Sequence, residues 1–146
     1  MSLKNIIDKD IKESMFQKNK NRLIALRAIK AAILLEEKSS SSNNFNENQL
    51  LMKLIKQRKD SLTFYKEQNR SDLAIKEEEE INIISEFLPK QMNDSELIDQ
   101  ISEIITSVNA TSMKDMGKIM SNFNVEYNGK ADNKMVASII KNKINA

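Results

Sequence analysis

Glycine and proline all but vanish from this chain, with two glycines and one proline in 146 residues. Sheets and tight turns lean on both, because glycine supplies backbone with positive φ and proline fixes turn corners. A chain so poor in them has few positions for positive φ or hairpins, and the simplest reading is a series of helices joined by polar corners. Its 40% hydrophobic content can bury a core of ordinary size. Both glycines fall in one stretch, "DMGKIMSNFNVEYNGKAD" (residues 115–132), and each is followed at once by a lysine.

Apolar residues recur every three or four positions along most of the chain, the spacing of amphipathic helices. Leu3, Ile6, Ile7, Ile11 and Met15 mark a first helix capped by Ser2. A second runs to about Lys38 and is apolar nearly all round ("LIALRAIKAAILL"), as expected for a hub covered on several sides. "SSSSNNFNEN" (39–48) reads as a polar connector. Asn46 with Gln49 then opens a third helix to about Asn69, and Ser71 or Asp72 starts a fourth to about Phe87. Pro89 ends it, since the residue before proline is pushed out of helical geometry. Beyond that point Asn93 with Glu96, Ser112 with Asp115, and Asp132 each mark a helix start. The expectation is all-α: a four-helix N-terminal domain over residues 1–88, then a small three-helix bundle over 89–146. The N-terminus has no signal-peptide core and no run reaches membrane-spanning length, which reads as cytoplasmic with no membrane partner.

Cysteine and histidine are both absent. Their lack removes thiolate chemistry, cysteine-built zinc sites, the commonest transition-metal ligand and the usual general base near neutral pH. No catalytic residue, metal or cofactor is assigned. Charges do interrupt one apolar stripe. Arg58 fills a gap among Leu51, Leu54, Ile55, Leu62 and Tyr65 on the third helix, and Glu77 and Glu80 lie on or beside the stripe of the fourth. An unpaired buried charge is costly, so a structural pair between Arg58 and Glu80 or Glu77 outweighs a catalytic carboxylate, which would lack any partnering base.

The net charge is only +2, so attraction to a polyanion must come from local clustering. The fifth helix carries Asp94, Glu96, Asp99 and Glu103, whereas residues 114–143 carry Lys114, Lys118, Lys130, Lys134, Lys141 and Lys143. Gly117 falls inside a helix, where glycine costs about 1 kcal/mol against alanine. Close helix contact or close approach of a ligand backbone would compensate. Gly129 lies just before the last helix, whose free N–H groups favour an anion. A P-loop is rejected, because Lys130 is followed by Ala131 and no strand precedes it. On composition alone, packing for Gly117, a turn for Gly129 and solubility for the lysines come first, with nucleic-acid backbone contact second.

"KQRKDS" (56–61), "NRSDL" (69–73), "INIISEFLPKQ" (81–91), "DMGKIM" (115–120) and "NGKAD" (128–132) appear in order, and together they resemble the YqeY proteins. Those are free-standing relatives of the tail domain of the GatB subunit of the tRNA-dependent amidotransferase. The resemblance implies the same four-plus-three helical organisation and a tail bundle that helps hold tRNA through positions matching Gly117, Lys118, Gly129, Lys130 and Asp132. Lys118, Lys130 and Lys134 would contact the tRNA backbone, with Lys114 and Lys141 assisting. The domains that perform ATP- and glutamine-dependent amidation have no counterpart here, so the family's carbon–nitrogen ligase label implies no intrinsic activity. The resulting expectation is a tRNA-binding accessory protein. The alternative is an adaptor that docks on a translation-related protein.

Overall fold

The structure, a computed structural model, describes residues 2–39 and 45–145. Its elements are α1 (Leu3–Phe16), α2 (Lys20–Ser39), α3 (Glu47–Glu67), α4 (Ser71–Ser85), α5 (Asp94–Ser107), a short 3-10 turn (Met113–Asp115), α6 (Met116–Tyr127) and α7 (Asn133–Ile144). No strand occurs among the described residues, so the all-α expectation holds. Of the connector read at 39–48, residues 40–44 lie outside the described residues. The chain divides into two compact units, Met1–Leu88 and Pro89–Ala146.

In the first unit, Leu3 and Ile7 from α1, Leu26, Ile29 and Ile33 from α2, Leu50, Leu51 and Ile55 from α3, and Ile84 from α4 form one buried cluster. These positions follow the helical period, so each helix turns one stripe inward. α2 is less enclosed than its composition suggested. Ile24 is 56% and Leu35 67% exposed, because α1, α3 and α4 do not surround it. One polar knot ties this unit together. Arg22 of α2 donates to both oxygens of Asp10 on α1 (Nε to Oδ1 2.9 Å, Nη2 to Oδ2 2.7 Å) and through Nη1 to Glu86 (2.9 and 3.1 Å). Its guanidinium also stands 6.0 Å from the centre of the Phe87 ring. The Arg22 hydrogen bond, with help from Ser14, holds Asp10 below the usual carboxylate range against the opposing effect of burial.

In the second unit, Leu97 and Ile101 of α5, Ile119 and Phe123 of α6, and Val136 and Ile140 of α7 close a separate core, with Ala131 filling the link. Phe123 is fully buried, and removing a side chain of that size from such a core costs about 3–5 kcal/mol.

The shortage of glycine is met in an unexpected way. α1, α3 and α5 end with Lys18, Asn69 and Asn109 in the left-handed region, at φ of 56°, 56° and 54°. Each sits in the same double bond pattern. The N–H of Asn19, Arg70 and Ala110 reaches back to the carbonyl of Ser14, Tyr65 and Ile105, while the left-handed residue itself donates to Met15, Lys66 and Thr106. That is the Schellman closure, usually built on glycine. Two of the three use asparagine, which tolerates this backbone best after glycine. Positive φ is therefore more frequent than glycine content implied.

The starts match their caps. Ser2, Asn46, Asn93 and Asp132 accept from the amides of Asn5, Gln49, Glu96 and Lys134. Ser112 and Asp115 make a reciprocal capping box, although it opens the 3-10 turn that leads into α6 and not α6 itself. α4 begins after Arg70 with no side-chain cap.

Candidate nucleic-acid interface

The two glycine-lysine pairs lie at opposite ends of α6. Gly117 is its second residue and Gly129 lies beyond its last, so the rise of an α-helix sets them on the order of 15 Å apart along the axis. They also do different things. Tyr127-Asn128-Gly129-Lys130 is a type II turn: Asn128 has φ −52° and ψ 126°, Gly129 has φ 78°, and the Lys130 amide donates to the Tyr127 carbonyl at 3.0 Å. The third position of such a turn needs positive φ, which is why glycine stands there.

The turn is clasped by the segment that leads into α5. Gln91 Nε2 donates to the Gly129 carbonyl at 2.7 Å and to the Pro89 carbonyl at 3.0 Å, and the Met92 amide donates to the Lys130 carbonyl at 2.9 Å. Thus the "PKQ" and "NGK" segments form one structural joint inside the second unit. Lys130 is half-buried with its ammonium 5.8 Å from the centre of the Tyr127 ring, and the Tyr127 hydroxyl donates to Gln100 at 2.5 Å. Burial first, and the nearby Glu126 charge second, push the Tyr127 phenol above its usual range.

The anion site expected at the start of α7 is corrected by this geometry. Asp132 caps that helix, its Oδ1 accepting from the Lys134 amide at 3.1 Å. A carboxylate already occupies the position and adds a negative charge that opposes a phosphate there.

Gly117 has no such duty. It is exposed, it is not among the positive-φ residues, and a Cβ built on it would meet nothing within 4 Å. The close helix contact considered for it is absent, and the face it presents is open. Around it, Lys114 in the 3-10 turn and Lys118 in α6 are exposed. Asp115 is turned back onto the chain, where the Thr111 and Ser112 amides hold it below the usual range, with Lys118 helping. α6 and α7 pack together across the link 128–132, and a short link folds packed helices back on each other. Lys141 and Lys143 stand exposed in the last turn of α7. Lys134, also exposed, belongs to the other end with Lys130.

Among the described residues, every salt bridge lies in the first unit, and no lysine of the second joins one. The exposed acidic side chains of α5 form no salt bridge with these ammonium groups among the described residues, and Lys118 interacts electrostatically with Asp115. In the first unit, Arg58 Nε lies 3.5 Å from Glu80 Oε1, and Arg58 Nη1 donates to the Leu54 carbonyl at 3.2 Å. Glu77 stands nearby without an ion pair of its own. The sequence reading missed the Gln91 clasp, since a side chain bonding a carbonyl far along the chain leaves no pattern in spacing.

A model of the Yqey-like protein family matches residues 4–144. Among curated proteins, the chain is 29% identical to the "Altered inheritance of mitochondria protein 41, mitochondrial" of Vanderwaltozyma polyspora, over 94% of this chain and 79% of that one. The protein of the same name from Lachancea thermotolerans is 32% identical over 70% of this chain and 57% of its own length. That from Saccharomyces cerevisiae strain YJM789 is 33% identical over 66% and 54%. The match thus spans little more than half the length of the latter two relatives.

Proposed function

From the premise that this chain belongs to the Yqey-like protein family, we propose that it is an accessory protein that holds tRNA by its sugar-phosphate backbone. Residues 89–146 act in this reading as a three-helix tail-like domain behind a four-helix N-terminal domain. The observation that carries it is the set of exposed lysines that form no salt bridge, Lys114 and Lys118 beside the open backbone at Gly117, with Lys134 and Lys141 on α7. Unpaired ammonium groups release counterions when they meet phosphates, which supplies affinity without reading bases. An uncovered glycine lets a ligand backbone approach closely. Lys130 contributes from its edge position, while Gly129 and Asp132 keep the shape of the turn.

Amide transfer remains the least supported reading, because a chain without histidine or cysteine lacks the usual general base and the thiol nucleophile. The names of the relatives place those proteins in mitochondria. The compartment proposed here is therefore one that contains tRNA, either the cytoplasm or the mitochondrial interior. Among the described residues no helix is long and apolar enough to cross a membrane.

Lysine acetylation footprinting on the full chain tests the proposal. Bound tRNA should slow modification of Lys114, Lys118, Lys134 and Lys141 while exposed Lys53 and Lys59 on α3 react unchanged. Equal reactivity with and without tRNA at low salt would refute it.

A further inference from the structure

The first unit holds a concavity of about 230 Å³ that no part of the preceding reading uses. Its floor is α4, where Leu73, Glu77 and Glu80 recur at helical spacing and so share a face. Its walls are the start of α2, with Asn21 and Ile24, and the end of α3, with Tyr65. The carboxylates around it are unequally satisfied. Glu79 accepts from Asn21 Nδ2 at 3.0 Å, and Glu80 has Arg58 at 3.5 Å. Glu77 has neither a hydrogen bond nor a salt bridge among the described residues, and burial first, then the Glu80 charge, hold it above the usual glutamate range while Arg58 pulls partly back. A partly buried carboxylate in that condition gains from an arriving cation.

The apolar walls select among cations. Ile24 is 56% exposed although it lines the concavity, and the Tyr65 ring is braced edge-on by Phe64, itself 57% exposed, at a centroid distance of 5.8 Å. An aliphatic stem can lie along Ile24 and Leu73 while its charged head meets Glu77 and the Tyr65 face. The volume falls below the roughly 300–1,000 Å³ usual for small-molecule sites and suits one long side chain. We propose that this concavity receives an arginine or lysine side chain presented by a partner polypeptide. Ile24 and Phe64 extend the apolar surface past the opening, where the partner's neighbouring residues would rest. Lys76, which also lines the concavity, is an opposing charge that limits affinity, together with Arg58 beside Glu80.

The test uses amide chemical shifts of the full chain with three probes: N-acetylarginine methylamide, the neutral N-acetylcitrulline methylamide, and spermidine. The capped arginine should move the amides of Asn21, Ile24, Tyr65 and Leu73–Glu80, and citrulline should not. Glu77→Gln should weaken the arginine probe about fivefold, the effect of one partly exposed ion pair. Its fold is safeguarded, because Glu77 has neither a hydrogen bond nor a salt bridge to lose among the described residues and its charge is opposed by burial. Ile24→Ser, on the exposed wall, should weaken it independently, and Lys76→Ala should tighten it. Equal shifts with citrulline, or indifference to both Glu77→Gln and Ile24→Ser, would overturn the proposal. So would tighter, Glu77-dependent binding of spermidine at the same amides, which would replace a polypeptide with a free polyamine.

Discussion

Alanine at the two glycines should push stability in opposite directions, although both precede a lysine. At Gly117 the backbone is helical and an added methyl meets open space. The substitution removes the conformational freedom that glycine brings to the unfolded chain, so it should stabilise by roughly 0.5–1 kcal/mol. At Gly129 the φ of 78° is one that an L side chain reaches only at a cost of about 1–2 kcal/mol. The residue is also buried under the Gln91 clasp. Urea and thermal unfolding followed by circular dichroism separate the two. Gly117→Ala should raise the midpoint by a few degrees, since about 1 kcal/mol shifts it by roughly 2–8 °C in domains of this size, and Gly129→Ala should lower it. A functional arm accompanies the first. If Gly117 is open because a phosphate backbone approaches it, Gly117→Ala loses tRNA affinity while gaining stability. Loss of stability at Gly117 would refute the open-face geometry, and unchanged tRNA binding would refute the reason given for the glycine.

Arg22→Ala should destabilise the first unit by about 2–3 kcal/mol, since it strips charge-assisted hydrogen bonds from Asp10 and Glu86, and urea unfolding at neutral pH reads this directly. Asp10 is lowered in the folded state, so its contribution is complete above the ordinary carboxylate value of 3.8 and is lost as pH falls through its lower folded value. Asp10→Asn should therefore lower stability at pH 7 and flatten the acid limb, and an unchanged acid limb would contradict the Arg22 knot. For Glu77 the sign reverses: its folded value is raised above 4.5, so its charge costs stability once pH rises beyond that range. Glu77→Gln should stabilise at pH 7 and be neutral near pH 3 in paired thermal melts. Asn69→Gly, which relieves the left-handed residue closing α3, should raise the unfolding midpoint by an amount equivalent to about 0.5–1 kcal/mol.

The helical nature of the chain was legible because the apolar period and the caps at Ser2, Asn46, Asn93 and Asp132 are local properties. What spacing could not show was anything that depends on which backbone neighbour comes near. Gly117 and Gly129 look alike in sequence, yet one is free and the other is held by a turn whose carbonyl is met by Gln91. Left-handed helix ends were underestimated because Lys18 carries no positional mark of such a role. Arg22 was given no role, since its value lies in Asp10 on α1 and Glu86 just past α4. The lysines of the second unit were visible as a cluster. Their lack of salt bridges to α5 was not, because acidic α5 could have been turned to neutralise them.

The central claim, tRNA held by the lysine surface of residues 89–146, is tested most directly by tRNA affinity as a function of salt. With Lys114, Lys118, Lys134 and Lys141 on phosphates, log affinity should fall against log salt with a slope of about −3 to −4. Lys118→Ala/Lys141→Ala together should weaken binding and reduce that slope by about 1.5 to 2. No binding at low salt, or a slope the double variant leaves unchanged, would contradict the account.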